Sequence, residues 1–574
     1  MILPWTVHPR EYLVITAPTR RRRALALALA VLGATSLVAC TAGSGPEEGR
    51  PGSSAGPADP AARPDLRRFY GQKLVWKPCG DHRCASLTVP MDYSRPGNGK
   101  TFVLPVAKAV TATRGKRVGS LVLNPGGPGE RGVRLIQDGV ADDIGRGVRE
   151  RFDIVSFDPR GVGESRPALT CVPPGPSEPA SDDPGGTPAA APLHPRTEAE
   201  RADALAAARA MAADCRKASG PLLPHVGTDD AARDLDVLRA ALGERRLTYV
   251  GWSYGTSLGT SYAERFPRRV RAMVLDGAVD PSLDWRQRVL GQSTGFRKAV
   301  EEYAASCAET VGDACPGATP EEIRALIDRL VERTQREPLP VEGSASGLDA
   351  ATLVSALGLS MYTPEAQWEP LSEALRAADD GDGTKLAALA SGGEETGGDG
   401  EDGGGSGDTE DSGHTDETAD DADAGTAPEE SATAVPEDNS EAALIAINCL
   451  DVPHPRDARA YWDALAPADR AAGVHGTTGV TNELVCRDWP AGPQRPHRVR
   501  AAGVPPVLVV GTAGDPATPY AEAVSLARQF PGGMLLSFDS PGHTGYGRNS
   551  CVDRKVEQYL IDLTKVRPGT TCAA

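Results

Sequence analysis

The amino-acid sequence predicts an α/β fold: a mostly parallel sheet with helices on both faces. Six short apolar runs, each followed by Gly, Pro, Asp or Asn, are typical of buried parallel strands. Stretches with apolar residues at helical spacing lie between these runs, and strands that alternate with helices favour a parallel sheet. At 574 residues the chain can hold one large domain with a sizeable insertion, or two to three ordinary domains.

The predicted strands lead directly into turn sequences. They cover residues 120–123, 152–157, 247–250, 272–275, 506–510 and 534–538. Residues 229–242, with apolar positions at helical spacing, are expected to form a helix before the third of them. In sheets of this kind the binding and catalytic residues lie at the carboxyl ends of the strands. Polar residues just after each run are therefore the candidates for a functional site.

The N-terminal segment is predicted to be an export signal. Four arginines at 20–23 precede an apolar run of 16 residues and then Cys40. This pattern matches a secretory signal, and the apolar run is too short for a membrane span. The residues 37–40 resemble a bacterial lipobox, which predicts a lipid on Cys40 and a mature protein anchored outside the cell membrane. Ordinary cleavage with secretion, and twin-arginine export, are the alternatives. Residues 41–65 are expected to form a flexible spacer.

The negative charge of the chain is confined to one tract. The formal net charge is −17, and residues 391–440 contain 17 Asp and Glu and no Lys or Arg. The rest of the chain is close to neutral, so the net charge does not indicate a cationic partner. With almost no large apolar side chains, the tract is expected to be a disordered, solvated insertion rather than a cation binder or cell-wall tether.

The cysteines indicate disulfides. Of the 11 cysteines, ten remain when Cys40 is set aside, and an even number in an exported chain favours paired thiols. A metal site is the alternative, but no CxxC or HxxxH spacing supports one, so no metal is expected. Pairing of nearest neighbours is one hypothesis for the connectivity. It joins Cys79 to Cys84, Cys171 to Cys215, Cys307 to Cys315, Cys449 to Cys486 and Cys551 to Cys572.

Four copies of Gly-x-Ser-x-Gly centre on Ser54, Ser253, Ser257 and Ser293. Only Ser253 follows a predicted strand and opens a predicted helix, the sharp turn that exposes a nucleophilic hydroxyl. Ser54 lies in the spacer and Ser293 in a predicted helix. Ser257 lies one turn inside the helix, where its small side chain is expected to let that helix pack against the sheet. Ser253 is therefore the candidate nucleophile.

A serine nucleophile needs a base, and the base needs a carboxylate that orients it. Of nine histidines, only His543 comes after Ser253 at a strand end, in the Gly-rich turn after 534–538. Asp515 lies five residues past Val510 and is the candidate acid, although an Asp there could instead cap a helix. A Ser, an Asp and a His in this order at three strand ends are more specific than any single motif.

An oxyanion hole requires two backbone N–H groups aimed at the developing negative charge. One is expected from Tyr254, directly after the nucleophile. The other is expected from the NPGGPG loop at 124–129, with Gly127 as the donor. The loop could also be a simple turn or a phosphate cradle, but neither GK[ST] nor GxGxxG accompanies it, so nucleotide binding is disfavoured and no nucleic-acid partner is expected.

Several of these motifs together resemble a known family. LVLNPGGPG, FDIVSFDPRGVGES, YVGWSYGTSLGTSYAERFP, AINCLD, VLVVGTAGDPATP and SPGHTGYGRNSCV are similar to the secreted tripeptidyl aminopeptidases of actinobacteria. These are relatives of proline iminopeptidase in the α/β-hydrolase superfamily. The resemblance runs from about residue 74 to the C-terminus. It implies a cofactor-free serine exopeptidase that removes short peptides from free N-termini, with Ser253, Asp515 and His543 as its triad.

Asp515 lies 262 residues after Ser253, far more than the sheet needs, so the excess is expected to form a cap over the site. The hydrolase core is expected at 66–284 and 503–574, with a largely helical cap at 285–502 inserted between nucleophile and acid. Helices are expected at 287–311, 320–334 and 350–386. In the family that the chain resembles, such caps select free peptide N-termini, so an acidic side chain must meet the substrate ammonium. Glu130, Asp451 and other carboxylates of the cap are candidates for that contact.

Two features depart from the family pattern. The family loop commonly continues GGPGGSG, whereas Glu130 and Arg131 replace the small pair here. The acidic tract is also an addition. A carboxylesterase or lipase with the same triad is the nearest alternative function, and a surface lipoprotein that binds peptides without cleaving them is a second.

Overall fold

The computed structural model describes residues 60–574 except 112, 173–191, 311–313, 392–437, 491 and 493. The predicted signal, Cys40, and all but the ends of the acidic tract lie outside these residues. Among the helices of the described part, none has the length and apolar character needed to cross a membrane.

The predicted α/β fold is confirmed by one ten-stranded sheet. Its order is β1-β2-β3-β5-β4-β6-β7-β10-β11-β12, parallel from β5 to β12 and antiparallel from β1 to β5. All six predicted strands are present; the antiparallel β1–β3 and the edge strand β12 were not predicted. The strands are β1 (Lys77–Cys79), β2 (His82–Pro90), β3 (Thr101–Ala109), β4 (Gly119–Asn124), β5 (Phe152–Phe157), β6 (Leu247–Trp252), β7 (Val270–Asp276), β10 (Leu508–Gly514), β11 (Met534–Pro541) and β12 (Thr570–Ala573), with β8 (Leu339–Val341) and β9 (Ser344–Leu348) forming a separate hairpin.

The central strands are buried on both faces. Along β6, Tyr249 packs in one apolar cluster and Val250 in the other, since successive side chains point to opposite sides of a strand. The core helices that cover these faces are α1 (Arg67–Tyr70), α2 (Gly132–Gln137), α3 (Val140–Asp143), α4 (Arg146–Arg149), α5 (Glu198–Ser219), α6 (Thr228–Ala241), α7 (Tyr254–Arg265), α15 (Tyr520–Gln529) and α16 (Ser550–Asp562).

The strand register brings the carboxyl ends of the central strands to one edge. Asn124 of β4 lies opposite Gly251 of β6, Trp252 opposite Asp276 of β7, and Asp276 opposite Val510 of β10. The segments that follow β4, β6, β7, β10 and β11 therefore emerge side by side. This is the edge at which the sequence places its candidate residues.

Helix α7 packs against the sheet through glycines rather than through Ser257. A Cβ at Gly259 would lie 2.7 Å from Leu275, and one at Gly255 would lie 2.8 Å from the carbonyl oxygen of Asn124. Ser257 is half-buried and lines a cavity with residues of the cap. The expectation that Ser257 is the packing residue is therefore wrong, because the two neighbouring glycines occupy the face toward the sheet.

A large helical region joins β7 to β10, as expected of a cap. Its helices are α8 (Trp285–Thr310), α9 (Pro320–Thr334), α10 (Ala350–Ser360), α11 (Pro364–Asp379), α12 (Thr384–Ser391), α13 (Ser440–Asp451) and α14 (Arg459–Asn482). The single helix expected over 350–386 is instead three helices. Proline at the first position of α11 starts a new helix, and Gly381, at φ +102°, ends it.

The five disulfides join nearest neighbours along the chain, as the pairing hypothesis proposes. Two of them close short loops, Cys79–Cys84 and Cys307–Cys315. The bond Cys171–Cys215 ties α5 to the segment after β5, and Cys449–Cys486 ties α13 to the turn after α14. Cys551–Cys572 joins α16 to β12.

Candidate active site

Ser253 lies on a strained turn between β6 and α7. Its backbone has φ 54° and ψ −122°, a conformation that a residue with a side chain rarely adopts. Its N–H donates to the carbonyl of Asp276 at 2.8 Å. A Cβ at Gly251 would lie 2.3 Å from the carbonyl oxygen of Gly255, so the turn closes only with glycines there. The predicted strand, elbow and helix are all present.

Asp515 and His543 form a buried pair beside this turn. Nδ1 of His543 lies 2.8 and 2.9 Å from the two carboxylate oxygens of Asp515, and both side chains are buried. Because a carboxylate accepts, Nδ1 carries the hydrogen and donates it to Asp515, which leaves Nε2 as the acceptor. Nε2 is itself buried and has no hydrogen-bond partner in the described structure. Nε2 therefore makes no hydrogen bond to Ser253 in this structure, and its lone pair is unoccupied.

The carboxylate of Asp515 is held by its own loop. The N–H groups of Ala517 and Thr518 donate to Oδ1 at 3.0 and 2.8 Å, and the Thr518 hydroxyl donates to Oδ2 at 3.0 Å. Asp515 therefore also stabilises the turn before α15, which is the capping role considered as the alternative for this residue. Sequence reasoning did not single out Thr518, although a threonine three residues after an aspartate is a common partner in such turns.

The loop after β4 lies directly against the elbow. A Cβ at Gly126, which has φ +111°, would lie 2.7 Å from the carbonyl oxygen of Trp252 and 3.0 Å from Cβ of Ser253. The next backbone N–H along the loop is that of Gly127. Across from it, Tyr254 is the first residue of α7, where helix N–H groups lack acceptors within the helix. The structure thus places the loop residue next to Gly127, and Tyr254 itself, at the elbow.

Glu130 follows this loop and carries an unsatisfied carboxylate. Its Oε1 is buried and has no hydrogen-bond partner among the described residues. Burial, together with the nearby charge of Asp438, raises the pKa of Glu130 to about 7. Its charge also acts on Tyr362, which in turn contacts His543. Glu130 therefore has an unpartnered carboxylate oxygen directly after the loop that follows β4 and, when ionised, can offer a negative charge to a cationic ligand.

Asp451, the second candidate for the ammonium contact, is already engaged. Located at the end of α13, it accepts the Thr228 N–H at 3.0 Å and the Thr228 hydroxyl at 2.5 Å. The same hydroxyl contacts the Tyr254 hydroxyl at 2.5 Å. Burial raises the pKa of Asp451 to about 6. Both of its oxygens thus serve a network that supports the side chain of Tyr254.

Tyr362 is a site residue that sequence reasoning missed. It comes from the cap, between α10 and α11. Its backbone carbonyl accepts the backbone N–H of His543 at 2.9 Å. Its ring meets the imidazole edge-on, with centroids 5.0 Å apart. A second link joins Arg548, after β11, to Glu365 of α11 at 2.7 Å. Nothing near Tyr362 in the sequence signals this contact, because it depends on how the cap docks.

One cluster has the residue types of a metal site. Within the described ranges, ligand atoms of His454, Glu483 and Cys486 lie within 4.8 Å of one another. Cys486 is bonded to Cys449, so its sulfur is not a thiolate that could bind a metal. The cluster is better described as a hydrogen-bonded pair of His454 and Glu483 beside a disulfide, with Nε2 and Oε2 2.5 Å apart.

Two family models match parts of this chain. The family model described as alpha/beta hydrolase fold matches residues 119–330, and the one described as TAP-like protein matches residues 472–572. The first match contains β4, the elbow and β7, and the second contains β10, Asp515, His543 and α16. Together they cover both parts of the sheet edge described above.

Three curated relatives match most of the chain. Serine protease Hip1 of Mycobacterium tuberculosis is 36% identical over 88% of this chain and 91% of its own length. Tripeptidyl aminopeptidase of Streptomyces coelicolor is 32% identical over 86% of this chain and 83% of its own. Carboxylesterase B of Mycobacterium tuberculosis is 33% identical over 96% of this chain and 99% of its own length. These matches confirm the family resemblance. The chain therefore belongs to the TAP-like family of serine hydrolases with the α/β-hydrolase fold.

Proposed function

We propose that this serine hydrolase is an exopeptidase that cleaves peptide bonds near free N-termini and releases tripeptides. The observation that carries the proposal is the combination of a strained Ser253, a paired His543 and Asp515, and the unpartnered carboxylate of Glu130 at one sheet edge. Ser253, His543 and Asp515 supply acyl-transfer chemistry. Glu130 supplies a negative charge that would select substrates with an ammonium group.

In the proposed mechanism, the Ser253 hydroxyl attacks the scissile carbonyl while Nε2 of His543 takes its proton. Asp515 holds the imidazole through Nδ1 and stabilises its positive charge. The N–H groups of Gly127 and Tyr254 stabilise the oxyanion. His543 then gives its proton to the leaving amine as the C–N bond breaks. Water, deprotonated by His543, hydrolyses the acyl-enzyme and restores Ser253.

The proposed role of Glu130 is to bind the substrate ammonium. Its unsatisfied Oε1 needs a donor, and an ammonium group would provide a charge-assisted hydrogen bond. Asp451 is the weaker candidate because Thr228 already donates to both of its oxygens. The docking of the cap onto His543 through Tyr362 restricts the space around the base, which suits a substrate entering by its end.

A substrate panel tests this function. The enzyme is assayed on p-nitroanilides of one to four residues with a free amine, and on the N-acetylated form of each. We expect the free tripeptide to be the best substrate, and acetylation to lower its kcat/KM about 100-fold through loss of one charge-assisted contact. Equal or better cleavage of the acetylated tripeptide would contradict an exopeptidase.

A carboxylesterase is the second candidate function, favoured by the likeness to carboxylesterase B. The same triad cleaves esters, because acyl transfer does not itself distinguish an ester from an amide. Short acyl p-nitrophenyl esters are therefore included in the panel. An esterase would prefer these esters and would not respond to a blocked amine on a peptide. Absence of labelling by a fluorophosphonate would instead favour a protein that binds peptides without cleaving them.

We further propose that the protein is exported and lipid-modified at Cys40, on the basis of the arginines and the lipobox-like residues before it. Metabolic labelling with palmitate, followed by membrane fractionation, tests this. The wild type is expected to be labelled and membrane-bound, and the Cys40→Ala variant unlabelled and released. An unlabelled wild type recovered from the medium would overturn the anchor and leave secretion.

A further inference from the structure

Asp276 is a buried carboxylate at the sheet edge that the proposed triad does not use. It is the last residue of β7 and is 0% exposed. Its two oxygens accept the Gly545 N–H at 3.1 and 3.0 Å, and Oδ2 accepts the Tyr546 N–H at 2.7 Å. Both donors belong to the turn that carries His543. The side chain of Asp276 thus fastens that turn to β7.

The backbone of Asp276 holds the nucleophile at the same time. Its carbonyl accepts the N–H of Ser253 at 2.8 Å. The next residue, Gly277, has φ +66°, and a Cβ there would lie 3.0 Å from Cε1 of His543 and 3.1 Å from the hydroxyl of Thr518. One dipeptide therefore touches the elbow, the base and the loop of the acid. A shift of Asp276 would change the distance between Ser253 and His543.

The charges around His543 come from several elements. Asp515 contacts its ring, and Asp276 lies close enough to interact electrostatically with both His543 and Asp515. Arg548 donates to the carbonyl of Thr544, and Tyr362 of the cap covers the ring. The charge of Glu130 acts on Tyr362.

Burial affects the ionisation of Asp276 itself. Burial is the main cause that raises its pKa, to about 6, and the backbone N–H groups of Tyr546 and Gly545 oppose that rise. Above that pH the carboxylate is negative. A negative charge that interacts with His543 favours the imidazolium that forms when Ser253 loses its proton.

We propose that Asp276 is a positioning residue of this active site. Its carboxylate fixes the His543 turn, its carbonyl fixes the Ser253 elbow, and its charge stabilises the protonated base. It is not a second orienting acid, because Asp515 holds Nδ1 of His543 and the oxygens of Asp276 face backbone N–H groups. The inference rests on the proposed roles of Ser253 and His543.

The test compares Asp276→Asn with Asp158→Asn as a matched control. Asp158 is also a fully buried carboxylate at a strand end, accepting the backbone N–H groups of Val133 and Glu164 at 2.9 and 3.0 Å. It follows β5, three strand positions from β7, roughly 14 Å away at the usual spacing. Both variants lose a buried charge of the same kind, but only one lies near His543.

For Asp276→Asn we expect kcat on the best substrate of the panel to fall about 10- to 100-fold, with KM within about twofold of the wild type. The acidic limb of the kcat/KM profile reports protonation of the base. Its midpoint is expected to move to lower pH, because the charge that favours the protonated base is lost. In Asp158→Asn that midpoint is expected to stay at the wild-type pH.

The outcomes separate this inference from the proposed function. If Ser253→Ala keeps wild-type activity, the proposed function fails. If Ser253→Ala is inactive but Asp276→Asn has the wild-type kcat and acidic limb, only the role of Asp276 is overturned. Should Asp276→Asn not fold, Asp276→Ser is assayed in the same way. Failure of both to fold, with Asp158→Asn folded, would show a purely structural role and also overturn the inference.

Discussion

Both carboxylate oxygens of Asp515 lie within hydrogen-bonding distance of Nδ1 of His543, at 2.8 and 2.9 Å. The contact determines that Nδ1 of His543 carries the hydrogen and that Nε2 is left as the acceptor. In Asp515→Asn, the amide nitrogen can turn toward Nδ1 and favour the opposite tautomer. We expect kcat to fall by about 10⁴-fold.

Steady-state assays on the free-amine tripeptide anilide measure this loss. Asp539→Asn, which changes an exposed aspartate on the strand leading to His543, serves as the control and is expected to stay within about twofold of the wild type. An Asp515→Asn variant with more than a tenth of the wild-type kcat would show that Asp515 does not orient the base.

Gly126 leaves no room for a side chain beside the nucleophile. In Gly126→Ala, the new Cβ would lie 2.7 Å from the carbonyl oxygen of Trp252 at a positive φ, so the loop must move away from the elbow. Displacing the oxyanion donors should lower kcat/KM at least 100-fold. Gly97→Ala has no atoms within 4 Å of its Cβ and is the matched control. Similar activities for the two variants would place the oxyanion hole elsewhere.

Glu130 should make activity on free-amine peptides depend on pH. Its pKa, raised to about 7 by burial, means that it is neutral at pH 5.5 and charged at pH 8. Only the charged form pairs with an ammonium. The ratio of kcat/KM between the wild type and Glu130→Gln is expected to be near 1 at pH 5.5 and to reach about 10 to 100 at pH 8.

The N-acetylated peptide is the control for this prediction. Because it has no ammonium group, the ratio between the wild type and Glu130→Gln should be the same at both pH values. A pH-independent ratio for the free-amine peptide would rule out Glu130 as the ammonium ligand.

Glu522 of α15 should reduce the stability of the fold as pH rises. Burial raises its pKa from 4.5 to about 7, although it accepts the Asp280 N–H at 2.9 Å. Below pH 4.5 it is protonated in both the folded and the unfolded chain. Between pH 4.5 and 7 only the unfolded chain loses the proton, so the free energy of unfolding decreases.

Glu522→Gln removes this dependence. At pH 4.5 the variant should match the wild type, and at pH 8 it should be more stable by roughly 3 kcal/mol. Thermal unfolding at the two pH values measures the difference, with Glu337→Gln, at an exposed position of the cap, as the control. A Glu522→Gln variant that is less stable than the wild type at pH 8 would contradict the claim that ionised Glu522 destabilises the fold.

The sequence predicts much of the hydrolase core because its signals are local. Ser253, Asp515 and His543 each follow a buried strand within a few residues, so the strand pattern also places all three at the carboxyl ends of parallel strands. Asp276 has the same signal, a polar residue directly after a buried run, and could have been found. It was missed because the triad was already complete without it.

Other features of the site depend on contacts that are distant in sequence. Tyr362 reaches His543 only because α10 and α11 dock onto the sheet edge. Asp451 has the charge expected of an ammonium ligand, but Thr228, far away in the chain, donates to it. The residues that replace Ser257 in packing are glycines, whose small size has no periodic signature. Spacing along the chain does not encode these relationships.

The measurement that tests the central claim most directly is the mapping of a fluorophosphonate adduct on the intact enzyme. Peptide mass spectrometry distinguishes Ser253 from Ser257 and from Ser293. We expect one adduct, on Ser253, formed at the same rate at which activity is lost, and no adduct in Ser253→Ala. An adduct on Ser257 or Ser293, or full inactivation without modification of Ser253, would contradict the account.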